Sequence, residues 1–187
     1  MEKKKIILIT DGDLIAKDVV EEVAKKIGGR CISLSAGNPT RLLGWEIVDL
    51  IKQTPKDPVL VMLDDNGDTK KGKGEKALEY IVRHPDIEVI GVVAVASNTK
   101  YVDGILVNCS IDHNGKIIKE SVNKEGVKIK NSNKIFGDTV DVLNKLDIPI
   151  IVGVGDIGKM NGKDKKKIGA PITYKAIKII LERSNIV

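Results

Sequence analysis

Six aspartates and one lysine stand just after aliphatic runs, where an α/β chain keeps its chemistry. Asp11 and Asp13 follow Ile6 to Thr10, Asp64, Asp65 and Asp68 follow Val59 to Leu63, and Asp156 and Lys159 follow Pro149 to Val154. Carboxylates converging with a lysine and glycines are the materials of a Mg²⁺ or phosphate site: oxygens for a hard cation, an ammonium and open backbone N–H groups for an anion. Ser35 and Asn38, in the loop Ser35-Ala36-Gly37-Asn38-Pro39, and Gly155 complete the candidate ligand-binding set. Asp and Gly are also the ordinary residues of strand-to-helix turns, and Asp13 is well placed as a helix N-cap.

Specific enzyme patterns fit this set only in part. Haloacid-dehalogenase phosphatases place a D-x-D after the first strand and further acids after a late one, which Asp11, Asp13, Asp156 and Asp164 mimic. A helix beginning at Leu14 leaves no room for the elements that normally follow that D-x-D, and the Gly-Thr usually trailing it is missing. Topoisomerase-primase domains need a glutamate at the first strand, whereas here that strand ends in Asp-Gly-Asp; only the later cluster Asp64 to Asp68 fits. Gly153 to Gly158 matches G-x-G-x-x-G, yet a lysine-rich loop follows where the dinucleotide fingerprint requires a helix. His84, before Pro85, and His113, in an Asn-Gly turn, read as exposed turn residues. With two Cys and two His, a structural zinc site is not supported. Neither a catalytic residue nor a metal ligand is assigned on these grounds, and no cofactor is expected unless the Mg²⁺ reading holds.

The elements that must position these residues alternate strand and helix. Lys5 to Thr10, Cys31 to Leu34, Val59 to Leu63, Val89 to Ala96 and Pro149 to Val154 are short aliphatic runs, as expected for strands buried on both faces. Between them, apolar residues recur at helical spacing: Ile15, Val19 and Val23, then Leu43, Ile47, Leu50 and Ile51, then Ala77, Leu78, Ile81 and Val82. Asp138 is expected to cap a helix through Leu146, and Pro171 to open a C-terminal helix carrying Ile172, Ala176, Ile179 and Ile180. Ile105 to Ile111 and Lys116 to Glu120 flank Asp112-His113-Asn114-Gly115, a strong hairpin signal. The pattern predicts a single α/β domain over 1–187: a three-layer sandwich with a mainly parallel, Rossmann-like sheet and a β-hairpin excursion at 104–134. Strand C-terminal ends then share one edge, where such sheets bind ligands.

Composition narrows the partners. Aromatics are 3%, so the core is aliphatic and stacking platforms for single-stranded nucleic acid are lacking. Cys31 and Cys109 lie within apolar runs and read as buried reduced thiols. No apolar run approaches the roughly 20 residues that cross a bilayer, and the N-terminal apolar stretch is too short for a signal peptide. Net charge is +5, with Lys163, Lys165, Lys166 and Lys167 crowded in one segment. That run reads as a solvated loop or as a contact for an anionic lipid surface or acidic partner. Trp45 points away from the apolar stripe of its helix and is a candidate partner anchor.

Read together, Ile6 to Asp13 (IILITDGD), Gly28 to Thr40 (GGRCISLSAGNPT), Asp57 to Asp65 (DPVLVMLDD), His84 to Ser97 (HPDIEVIGVVAVAS), Gly137 to Met160 (GDTVDVLNKLDIPIIVGVGDIGKM) and Ala170 to Thr173 (APIT) resemble the stage V sporulation protein AE family. That family is the soluble member of a spore operon that also encodes a dipicolinic-acid channel. The resemblance implies a non-enzymatic accessory of sporulation and germination, kept in the forespore or spore. There it would be soluble or peripherally attached to the inner membrane, with sporulation and germination proteins of that membrane as partners. It carries over no catalytic residues. The residue pattern keeps a second expectation open, a Mg²⁺-dependent phosphoryl-transfer enzyme or phospholigand sensor at the acidic edge.

Overall fold

Ile6, Ile7, Leu8 and Ile9 have no exposed surface, because the strand they form is covered on both faces. The computed structural model describes residues 2–67, 71–99 and 101–185. In chain order the elements are β1 (Lys4–Ile9), α1 (Leu14–Lys26), β2 (Arg30–Cys31), α2 (Gly44–Gln53), β3 (Val59–Met62), α3 (Lys73–Arg83) and β4 (Ile87–Val95). There follow β5 (Ile105–Leu106), β6 (Cys109–Ile111), β7 (Ile117–Ile118), β8 (Lys134–Ile135), β9 (Ile151–Val154) and α4 (Pro171–Arg183). Seven strands form one sheet in the order β2-β3-β1-β4-β9-β6-β7. All its neighbours run parallel except β7, which returns antiparallel along β6. β5 and β8 pair antiparallel in a small separate sheet.

Alternation along the strands sorts the core into two halves. Ile7, Ile9, Leu60 and Met62 pack under α1 and α4. Ile6, Leu8, Val59 and Val61 pack under α2 and α3. Each such side chain, fully buried, contributes roughly 1.5–3 kcal/mol relative to exposure, so a mainly aliphatic core holds the sheet, with Tyr174 packed against the α1 and α4 half. Among the described residues, no helix is long and apolar enough to cross a membrane.

Several local expectations are corrected. The second strand is only Arg30–Cys31; Ser33–Ser35 turn into a 3₁₀ segment instead of continuing it. The helix expected from Asp138 to Leu146 is a 3₁₀ stretch at Asp141–Lys145, preceded by Thr139 in the left-handed region at φ 59°, a conformation no right-handed helix contains. The Ile105-to-Ile111 run splits, since Ile105 and Leu106 leave the main sheet to pair with Ile135 and Lys134. Ile15 and Leu43 are about half exposed, while Ala16 and Val20 take the buried stripe of α1 and Val48 joins that of α2.

Candidate functional site

β1 sends the chain across one face toward β2, and β3 sends it across the other toward β4. The strand ends at this reversal open a crevice at the C-terminal edge of the sheet. A cavity of about 400 Å³ occupies it, and its wall includes Asp11, Asp13, Asn38, Asp64, Asp156 and Lys159. Four separate loops, after β1, β2, β3 and β9, thus deliver sequence-selected residues to one place. Gly12 allows this closeness: a Cβ there would stand 2.5 Å from the Gly37 carbonyl oxygen and 3.0 Å from Asp64 Cβ.

Each carboxylate has a different electrostatic situation. Asp13 Oδ1 accepts from the Ala16 amide at 2.8 Å, capping α1. Its Oδ2 accepts from Lys159 Nζ at 2.6 Å, and the same ammonium donates to Asp156 Oδ1 at 3.0 Å. Burial pushes the Asp13 carboxyl up, but the Ala16 amide and Lys159 outweigh it, so its pKa falls below the usual value. Burial alone would lower the Lys159 pKa; the two carboxylates raise it instead. Asp11 has no such help. It is 8% exposed, its Oδ1 accepts one long bond from the Asp13 amide at 3.3 Å, and its buried Oδ2 has no hydrogen-bond partner among the described residues. Burial, then repulsion from Asp13, drives its pKa up to about 8. Asp64 is raised to about 6, chiefly by burial, although the Asn66 amide donates to it at 2.8 Å.

Other selected residues serve the fold beside the cavity. Ser35 has no exposed surface; its hydroxyl donates to the Ile32 carbonyl at 2.7 Å and accepts from the Met62 amide at 2.9 Å, stitching the 33–35 turn to β3. Asp65 accepts from the Gly74 and Glu75 amides at 2.6 and 2.9 Å and from the Thr139 hydroxyl at 3.2 Å, so it holds the first turn of α3. Gly155 stands against the 124–126 loop, where a Cβ would lie 2.6 Å from the Gly126 nitrogen. Asp68 lies outside the described residues. Asp164, the last member of the dehalogenase-like pattern, has no exposed surface and accepts from the Ile172 and Thr173 amides and the Thr173 hydroxyl at the start of α4. It also accepts from the Gly158 amide at 3.2 Å.

Sequence reasoning missed Lys124, Asn66 and Asp138, which also line the cavity. Lys124 arrives from the excursion beyond β7, held because its carbonyl accepts from the Asp156 amide at 2.7 Å. Asp138 is tied to the opposite lip by accepting from the Gly67 amide. No local pattern marks Lys124; Asn66-Gly67, an evident turn pair directly after Asp65, was the available signal for the lip. Among the described residues, no three His, Cys, Asp or Glu side chains are grouped so as to hold a metal ion. The arrangement instead presents an acidic, hydrogen-bonding hollow that already grips one ammonium.

The candidate partner residues fall on two surfaces. Trp45 is 53% exposed on α2, in the layer packed on Ile6 and Leu8. Lys163, Lys165, Lys166 and Lys167 are exposed in the segment leading to α4, in the layer of α1 and α4 on the other face. Ile168, beside the lysines, is 55% exposed. His84 and His113 are half-buried and not exposed as expected; His113 Nδ1 lies 3.1 Å from the Gly126 carbonyl oxygen. Both thiols are free, Cys109 buried and Cys31 half-buried, and burial pushes the Cys31 thiol up to about 12, away from nucleophilic reactivity.

The family model described as stage V sporulation protein AE1 matches residues 5–184. No curated protein and no solved structure matches the chain.

Proposed function

The chain belongs to the stage V sporulation protein AE family, which gives it a sporulation-related role, and from that premise we propose that it is a non-enzymatic accessory of spore formation and germination. In this reading it acts with the dipicolinic-acid channel or the germination machinery at the spore inner membrane, attached from the side. The extent of the family match, 5–184, carries the reading. The attachment is supported by the exposed lysines at 163 and 165–167 with the exposed Ile168 beside them: cations for anionic headgroups and one apolar side chain to sink between them.

Flotation with phosphatidylglycerol-containing vesicles tests attachment. Each lysine near an anionic surface contributes about 1 kcal/mol, so reversing all four to glutamate is expected to abolish binding at low salt. Vesicle binding that survives the reversal rejects this surface. Trp45 is the proposed anchor for a protein partner, and Trp45→Ala is expected to reduce co-purification with spore inner-membrane proteins while leaving vesicle binding intact.

A second reading, a Mg²⁺-dependent phosphoryl-transfer enzyme or phospholigand sensor, is favoured by Asp11, Asp64 and Asp156 lining a single cavity. Calorimetric titration with Mg²⁺ and a panel of phosphoesters discriminates, and silence across the panel ends it for those substrates.

A further inference from the structure

We propose that the cavity at the C-terminal edge of the sheet binds a small ligand bearing a primary ammonium, seated against Asp11 and Asp64 beside Lys159. The site is built, not merely acidic. Asp11 is more than nine-tenths buried, lines the cavity, and leaves its buried Oδ2 without a partner among the described residues. Its carboxyl is held by only one 3.3 Å bond, and an aspartate χ2 turns within a broad two-fold well, so either oxygen can be presented to an incoming donor.

The choice of ammonium follows from what the cavity already holds. Lys159 Nζ bridges Asp13 and Asp156 at 2.6 and 3.0 Å, which shows that these walls accept an N–H donor cation in hydrogen-bond geometry. Among the described residues, neither Asp11 nor Asp64 shares in these contacts with a cation. A hard divalent cation wants several oxygens at about 2.0–2.6 Å around one point, and no such grouping exists among the described residues. An anionic ligand faces five aspartates against the two lysines Lys124 and Lys159. An ammonium needs two or three acceptors at about 2.8 Å, with space behind it. The remaining volume, within about 400 Å³, is walled by amide and hydroxyl side chains such as Asn38, Ser97 and Thr99, which suit a polar remainder.

A consequence separates this ligand from ordinary charge attraction. Around Asp11 stand Asp13, Asp64, Asp138 and Asp156 as acids and Lys124 and Lys159 as bases; with the Asp11 pKa near 8, the empty site carries a proton there at pH 7. Seating an ammonium ionises the carboxyl, so the proton leaves to solvent as the ligand's N–H···O⁻ bond forms. Affinity therefore rises with pH between about 6 and 8.

The proposal deepens the non-enzymatic reading by naming a ligand class for the rim, and it does not depend on the lysines tested by vesicles. The test is isothermal calorimetry on the full chain at pH 7, in two buffers of different ionisation enthalpy. Putrescine is the probe; tetramethylammonium, which has no N–H, and MgCl₂ and CaCl₂ are the comparisons. Putrescine is expected to bind with release of close to one proton. Asp11→Asn is expected to lower its affinity by about tenfold or more and abolish the release, since one charge-assisted bond contributes about 1.5–3 kcal/mol. Asp64→Asn, expected to weaken binding as well, serves if the first variant does not fold. Equal binding of tetramethylammonium, binding of divalent cations but not the amine, proton release persisting without Asp11, or no heat from putrescine would each overturn the proposal. None of these outcomes bears on vesicle flotation, so the two readings fail separately.

Discussion

Asp164 and Asp11 are both buried carboxylates in loops that leave a parallel strand, and the protein treats them in opposite ways. Asp164 has no exposed surface and collects four donors from Gly158, Ile172 and Thr173. Asp11 collects a single long one and sits among other acids. The first spends its charge on the N-terminal amides of α4, where an anion is favoured by the free N–H groups and the helix dipole. The second has its charge suppressed. Donor supply, and not burial, divides a carboxylate that builds the fold from one whose charge is suppressed.

The contrast can be broken at the Asp164 end first. Asp164→Ala strands three amides and a hydroxyl, and is expected to cost about 3 kcal/mol. In a chain of this length that lowers the melting temperature by about 6–12 °C; a fall within measurement error would end the distinction. Asp65→Ala, which uncaps α3 and frees the Thr139 hydroxyl, is expected to cost about 2 kcal/mol by denaturant midpoint.

Asp11→Asn sharpens the contrast because its sign is reversed. A carboxyl raised from 3.8 to about 8 in the folded state keeps its proton while the unfolded chain has lost it. Its contribution to stability is therefore intact below about pH 4 and drains away as pH rises through 8. The variant removes that loss, so it is expected to match the wild type near pH 4.5 and exceed it by at least about 1 kcal/mol at pH 8, read from melts across that range. Least affected are the exposed residues. Trp45→Ala and Lys166→Gln are each expected to leave stability within about 0.5 kcal/mol, so any functional loss they cause is a loss of contact.

The main strands were legible because their sequences carry few alternatives: Ile6 to Ile9 and Val59 to Met62 are aliphatic throughout, and only a doubly covered strand buries every residue. Their shared direction then placed Asp11, Asp64 and Asp156 along one rim before any coordinates. What escaped depended on a neighbour in space. Asp64 and Asp65 are adjacent in sequence, yet one faces the cavity and the other reaches back to α3, a choice set by where Gly74 lies. Ser35 looked like a strand-end ligand but closes a turn against Met62. Lys124 enters the cavity only because Gly155 lets the 124–126 loop pass close by, and a strand-by-strand reading has no access to that approach. Asp141, read as interior to a helix, instead accepts from the Asp103 and Gly104 amides at 2.8 Å and secures the small sheet.

The thickness of the sheet stands between Trp45 and the lysines at 163–167, each mounted on its own helical layer. Whatever settles on the basic side leaves the indole pointing outward on the far side, free to be met by something else. Under the proposed attachment, the two surfaces can therefore be occupied at the same time.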